Sequence, residues 1–132
     1  KYSWKYMRQN CELCIDYGVI PVFHLDSNWD NGIEYFKELP RHKFIIALDG
    51  MTDIFKAREV IGDHACIMGD VPASLQSFGT PEQVEAYCKK LIDQVGPYGY
   101  ILCPGCDSPF NSKLECLKAM AGSVKKFGPN VG

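Results

Sequence analysis

Four short apolar runs rich in β-branched and aromatic residues recur along the chain: Val19 to Leu25, Lys43 to Leu48, Ala65 to Gly69 and Gly99 to Cys103. Helical periodicity returns between and after them. It is clearest in Val84, Tyr87, Cys88, Leu91, Ile92 and Val95, and again in Leu114, Leu117, Met120, Ala121, Val124 and Phe127. Apolar runs of this length read as buried strands, and the one-faced helices read as their cover. Strands joined through helices, without tight hairpin signals, pair in parallel by right-handed crossovers. The expected class is therefore α/β. The opening segment, with Tyr6, Met7, Asn10, Leu13, Cys14 and Tyr17 at helical spacing, is expected to be the helix before the first strand.

Punctuation supports these elements. Thr80-Pro81-Glu82-Gln83 reads as a capping box with Pro at the first helical position, and Gly96-Pro97 and Gly128-Pro129 read as helix stops. At roughly 30 residues per βα unit the 132 residues hold about four units, half of the ~250 residues of a closed (β/α)₈ barrel. Lys1 is not an initiator Met, and the chain opens inside helical patterning. The expectation is one partial (β/α)₈ barrel domain over residues 1–132, about half of a closed barrel and a piece of something longer.

Composition narrows the partners. With 46% hydrophobic and 23% charged residues, the sequence is that of a globular domain rather than a disordered one. No apolar run approaches the ~18 residues of a membrane span, and a net charge of −2 with interspersed signs offers no basic stripe for nucleic acid or anionic membrane. Small dissolved partners are favoured.

Ligands of parallel α/β sheets bind at the carboxyl ends of the strands. Those ends here carry His24-Leu25-Asp26, Asp49-Gly50, Gly69-Asp70 and Cys103-Pro104-Gly105-Cys106-Asp107. His24 and Asp26 are two apart, which puts both side chains on one strand face, the prospective lumen. The alternative is a hydrogen-bonded core histidine and an Asp capping a helix near Asn28. Asp26, Asp49 and Asp70 are the candidate catalytic carboxylates, and for Asp49 and Asp70 the competing role is to brace the loops that follow them.

Seven cysteines without a secretory signal point to reduced thiols and a cytoplasmic protein. The two CxxC pairs, Cys11/Cys14 and Cys103/Cys106, are too far apart in sequence for a zinc ribbon, whose pairs stand about 15 to 20 residues apart. Cys14 fits the apolar stripe of its helix, Cys66 and Cys88 read as core residues, and Cys116 has no distinguishing context. Cys106 differs, because Pro104-Gly105 turns the chain out of the strand and leaves this thiol at the mouth of the sheet. A catalytic zinc takes about three protein ligands and keeps one position open. His24, Cys106 and Asp26 form the candidate metal set.

These residues are also familiar as a pattern. Cys66-Ile67-Met68-Gly69-Asp70-Val71-Pro72, followed by Phe78-Gly79-Thr80-Pro81-Glu82-Gln83-Val84-Glu85, resembles the GNVDP…LLxxGTPEEV signature of the uroporphyrinogen decarboxylase-like superfamily. Gly99-Tyr100-Ile101-Leu102-Cys103-Pro104-Gly105-Cys106 resembles its last barrel strand. The resemblance implies the carboxyl-terminal half of a (β/α)₈ barrel. True decarboxylases of the family act without a metal and end that strand in Gly-His-Gly. Pro104-Gly105-Cys106 instead resembles the corrinoid-linked methyltransferases, which hold zinc through His-x-Cys on an earlier strand and a Cys in the PGC segment. His24 and Cys106 match two of those positions, whereas Asp26 stands where the second Cys would be.

The resemblance thus implies a zinc-dependent methyltransferase working with a corrinoid protein and with a small methylated substrate or thiol. Asp26 would act in it as ligand or as orienter of a ligand. The alternatives are a metal-free decarboxylase of tetrapyrrole biosynthesis, for which Lys43 and an outward-facing Arg58 are the notable local cations, and a non-catalytic half-barrel remnant. A half-barrel leaves two strand edges unpaired, so homo-oligomerisation is an accompanying expectation.

Overall fold

A computed structural model describes residues 3–129. It contains helix α1 (Trp4–Asp16), strand β1 (Val22–Leu25), a 3₁₀ helix (Ile33–Glu38), β2 (Ile45–Leu48), α2 (Ile54–Ile61), β3 (Cys66–Val71), α3 (Ala73–Phe78), α4 (Pro81–Gln94), β4 (Tyr100–Pro104) and α5 (Leu114–Phe127). The four strands form one parallel sheet in the order β1-β2-β3-β4. A sheet laid down in chain order, with no reversal, is the winding of an α/β barrel rather than of a doubly wound sheet. The fold is a partial TIM barrel, as the strand and helix rhythm implies.

The strand limits shift from the expected ones for local reasons. The first run begins at Val22 rather than Val19, because Gly18 (φ 74°) and Val19 are used to close α1. The amides of Gly18 and Val19 donate to the carbonyls of Ile15 and Cys14, both at 2.9 Å, a paired C-terminal closure that needs a left-handed residue. β3 runs on to Val71, two residues past the expected end, because Asp70 and Val71 pair with Cys103 and Pro104 of β4. The α4 capping box is formed: the Gln83 amide donates to Thr80 Oγ1 at 3.4 Å, and the Thr80 amide donates to Gln83 Oε1 at 2.9 Å.

The core centres on Phe36 of the 3₁₀ helix, which is fully buried. Rings of Trp4, Phe23, Trp29 and Phe44 pack around it, mostly edge to face, at 5.1 to 6.2 Å between centroids. This cluster decides which side of α1 is inside. Trp4, Met7, Cys11 and Ile15 face it, whereas the expected stripe residues Tyr6, Leu13 and Tyr17 are exposed. Cys11, not Cys14, is the buried thiol of that pair. On α5 the buried face likewise carries Cys116 and Ser123, flanked by Ala119 and Met120, while Leu114 and Val124 are exposed.

Among the described residues no helix is long and apolar enough to cross a membrane.

Candidate metal centre at the strand ends

Register assembles the site. His24, Ala47, Met68 and Ile101 are successive lateral partners across β1, β2, β3 and β4, so they form one row on one face of the sheet. Above that row opens a cleft of about 440 Å³ lined by His24, Ala47, Met68 and Cys103 to Asp107. It lies at the carboxyl ends of the strands. A second cavity of about 400 Å³ sits at the opposite, amino-terminal end and contains Arg58, His42 and Cys66. Arg58 donates there to the carbonyls of Gly62 (3.1 Å) and Tyr98 (3.2 Å), so this cation is committed to holding that end together.

His24 Nε2 lies 3.2 Å from Asp26 Oδ1. The Asp26 side chain is 80% exposed, and the residue is absent from the cleft lining. No helix starts at Asn28 for Asp26 to cap; its carbonyl instead accepts from Trp29 Nε1 at 3.1 Å. Cys106 is exposed at the mouth and Cys103 is half-buried beneath it. The Pro-Gly link between the two thiols is pressed against the exit of β2, where a Cβ on Gly105 would stand 2.9 Å from the carbonyl oxygen of Asp49, the residue after the strand. Glycine at this position lets the turn sit close and fixes where Cys106 emerges. Burial, with Asp70 nearby, pushes the Cys103 thiol up to about 11.

The other two carboxylates are engaged outside the cleft. Asp49 accepts from the amides of Ser27 (3.2 Å) and Met51 (2.8 Å), which ties the β1 and β2 loops together. Asp70 is 4% exposed, and its Oδ1 accepts from the Tyr87 hydroxyl of α4 at 2.9 Å. Burial raises its carboxyl to about 6, against the lowering effect of that hydrogen bond. The Tyr100 hydroxyl closes the same region by donating to the Gly69 carbonyl. Sequence reasoning did not single out Tyr87 as a polar partner, because it reads there as one more member of the α4 apolar stripe.

The donors lining the cleft are one imidazole, two thiols and the Asp107 carboxylate, a set whose nitrogen and sulfur members are of the borderline-soft kind that suits zinc. Among the described residues no three His, Cys, Asp or Glu side chains converge closely enough to hold an ion as they stand.

A partial parallel barrel with nitrogen and sulfur donors at its strand ends defines the class: an α/β protein of partial-barrel architecture with a ligand-facing cleft. The chain belongs to the uroporphyrinogen decarboxylase (URO-D) family, whose model matches residues 1–127. It is 29% identical over 129 residues to the methylcobamide:CoM methyltransferase MtbA of Methanosarcina mazei, a match covering 96% of this chain and 36% of that protein. It is 32% identical over 79 residues to the uroporphyrinogen decarboxylases of Chlorobium phaeovibrioides and Chlorobium luteolum, covering 52% of this chain and 22% of each. The chain thus spans between about a fifth and about a third of the length of these curated relatives. All three are enzymes by name.

Proposed function

We propose that this chain is the carboxyl-terminal half of the barrel of a zinc-dependent methyltransferase that moves a methyl group to or from a corrinoid protein, with a small thiol or methylated compound as the other substrate. The observation that carries this reading is that His24 and Cys106, from opposite ends of the sheet, line the same cleft at the strand ends. The likeness to the methyltransferase over nearly the whole chain supports it. His24 and Cys106 would hold the zinc, and Asp26 would ligate it or orient His24. The metal, when bound, supplies a Lewis acid that lowers the pKa of a coordinated thiol or polarises a leaving group. Ala47 and Met68 give the cleft an apolar floor that limits water beside the reacting groups. Asp107 is the remaining carboxylate at the rim.

Metal analysis of the full-length protein tests the assignment. One zinc per barrel is expected, with loss of metal and of methyl transfer from methylcobalamin to a thiol in Cys106→Ser. Substoichiometric zinc after careful purification, or zinc unchanged in that variant, overturns it.

The likeness to two uroporphyrinogen decarboxylases favours a second reading, metal-free decarboxylation of a tetrapyrrole. That reaction needs cations to pair with substrate carboxylates, and among the described residues lining the cleft there is no Lys or Arg. Turnover insensitive to chelators would establish this reading in place of the first. The third reading, a non-catalytic remnant, draws on the exposed apolar side chains at the sheet edges, Val22 on β1 and Ile101 on β4. It predicts self-association and no turnover.

A further inference from the structure

We infer that Gln76 is a positioning residue of the strand-end cleft: its buried amide clamps the loop after β4 on both sides of Cys106-Asp107 and so sets where those two side chains stand. This role rests on the cleft being the functional site, and it holds with or without a bound metal.

Gln76 lies on α3 and is fully buried, although its side chain is polar. Burial of an amide is tolerated where its donor and its acceptor are both paired. Here they are. Nε2 donates to the Val71 carbonyl at the end of β3 (3.3 Å), and Oε1 accepts from the Ser108 hydroxyl (2.7 Å). A carbonyl only accepts, which fixes the amide in this orientation. The same Val71 carbonyl accepts from the Gly105 amide at 3.1 Å. Gly105 precedes Cys106, and Ser108 follows Asp107. One side chain thus holds both residues that flank Cys106-Asp107, Ser108 directly and Gly105 through the shared acceptor.

Neighbouring bonds extend the clamp. The Gln76 carbonyl accepts from the Lys113 amide (2.9 Å), the Ser77 hydroxyl donates to Asn111 Oδ1 (3.3 Å), and Lys113 Nζ donates to the Gly79 carbonyl (2.8 Å). The whole segment from Gly105 to Lys113 is thereby laid along α3. Cys106 and Asp107 line the cleft with His24, and both are exposed, so their positions come from the backbone on either side of them rather than from packing. An apolar side chain of similar size would fill the Gln76 space at little cost, because Val71 keeps the Gly105 amide and the exposed Ser108 hydroxyl can turn to water. What the amide adds is direction: two bonds of fixed geometry, where apolar packing is non-directional.

Gln76→Met in the full-length protein tests this. Hydrogen exchange at the Gly105 amide is expected to rise about 10-fold or more, the effect of losing one supporting hydrogen bond, with exchange across β2 and the urea midpoint close to the parent's. Gln76→Glu separates clamping from filling. At about pH 5 burial keeps that carboxyl neutral, so it still donates to Val71 and accepts from Ser108, and exchange at Gly105 should match the parent's at the same pH. In methyl transfer from methylcobalamin to a thiol, Gln76→Met should lower kcat about 10- to 100-fold with KM little changed, as displacement of a reacting group does. Exchange at Gly105 that is unchanged in Gln76→Met, or that rises only as far as exchange across β2, overturns the inference. So does Gln76→Glu opening the loop at that pH as far as Gln76→Met does. An unchanged kcat in Gln76→Met, where Cys106→Ser abolishes turnover, overturns it and leaves the reading of the cleft in place. Turnover unaffected by Cys106→Ser overturns the reading of the cleft, and the positioning role falls with it even where exchange at Gly105 rises as expected.

Discussion

His24 Nε2 lies 3.2 Å from Asp26 Oδ1, so two residues separated by one position on β1 and its exit form a carboxylate–imidazole pair at the edge of the cleft. Partners of this kind set the orientation and basicity of a ligating histidine. Asp26→Asn is therefore expected to weaken zinc binding about 10- to 100-fold without removing it. His24→Ala should remove it outright. Competition against a chromophoric chelator measures both, and equal affinity in Asp26→Asn and the parent would refute the orienting role.

Asp70 makes stability depend on pH in an unusual direction for a carboxylate. Its carboxyl is raised from 3.8 to about 6 in the folded chain, chiefly by burial. Below pH 3.8 it is protonated in both states and its contribution to stability is fully present. As pH rises towards and through about 6, the unfolded chain releases the proton first and that stability is lost. Asp70→Asn should abolish this component, so the variant gains on the parent by about 2 kcal/mol between pH 4 and pH 7.5. Urea unfolding at a series of pH values checks it, and a difference independent of pH would contradict it.

Tyr87→Phe removes the one side-chain donor to that carboxylate among the described residues. The cost is expected to be about 1–3 kcal/mol at pH 7.5, where Asp70 is ionised and needs the hydroxyl, and smaller at pH 4. The same unfolding series reads this out.

Gly105→Ala tests the seating of the PGC turn. The added Cβ meets the Asp49 carbonyl oxygen at 2.9 Å, and because the neighbour is backbone the turn itself must move. A loss of about 1–3 kcal/mol in stability is expected from the overpacking. Zinc affinity should also fall, because Cys106 is displaced. Calorimetry and metal titration on the same sample separate the two effects.

Thr80→Ala is the corresponding test of an element boundary. It removes the side-chain acceptor of the formed capping box and should cost about 1 kcal/mol, read as a shift in the urea midpoint with an unchanged slope.

Much of this architecture was legible in the order of residue types. The four apolar runs became the four strands, and Thr80 to Gln83 became a helix start, because backbone hydrogen bonding and capping depend on neighbours a few positions away. The α1 stripe was not legible. Two apolar faces compete on that helix, and only the position of Phe36, contributed by a segment some twenty residues later, selects Trp4, Met7, Cys11 and Ile15. The polar strand ends were visible as a group, but their separate roles were not. Asp49 and Asp70 look alike in sequence, yet Asp49 accepts two loop amides whereas Asp70 is buried beneath Tyr87.

The sequence by itself determined the βα rhythm, the family, and the positions of His24 and Cys106 at the ends of their strands. These follow from local periodicity and from short motifs. Only the tertiary structure decided that Cys103 shares a cleft with those two residues and that Asp26 lies against the His24 ring. The same holds for Asp70, which is turned into a buried contact with α4. The reason is physical: which residues meet across a sheet is set by register between strands tens of residues apart, and register is a property of the packed sheet rather than of any segment within it.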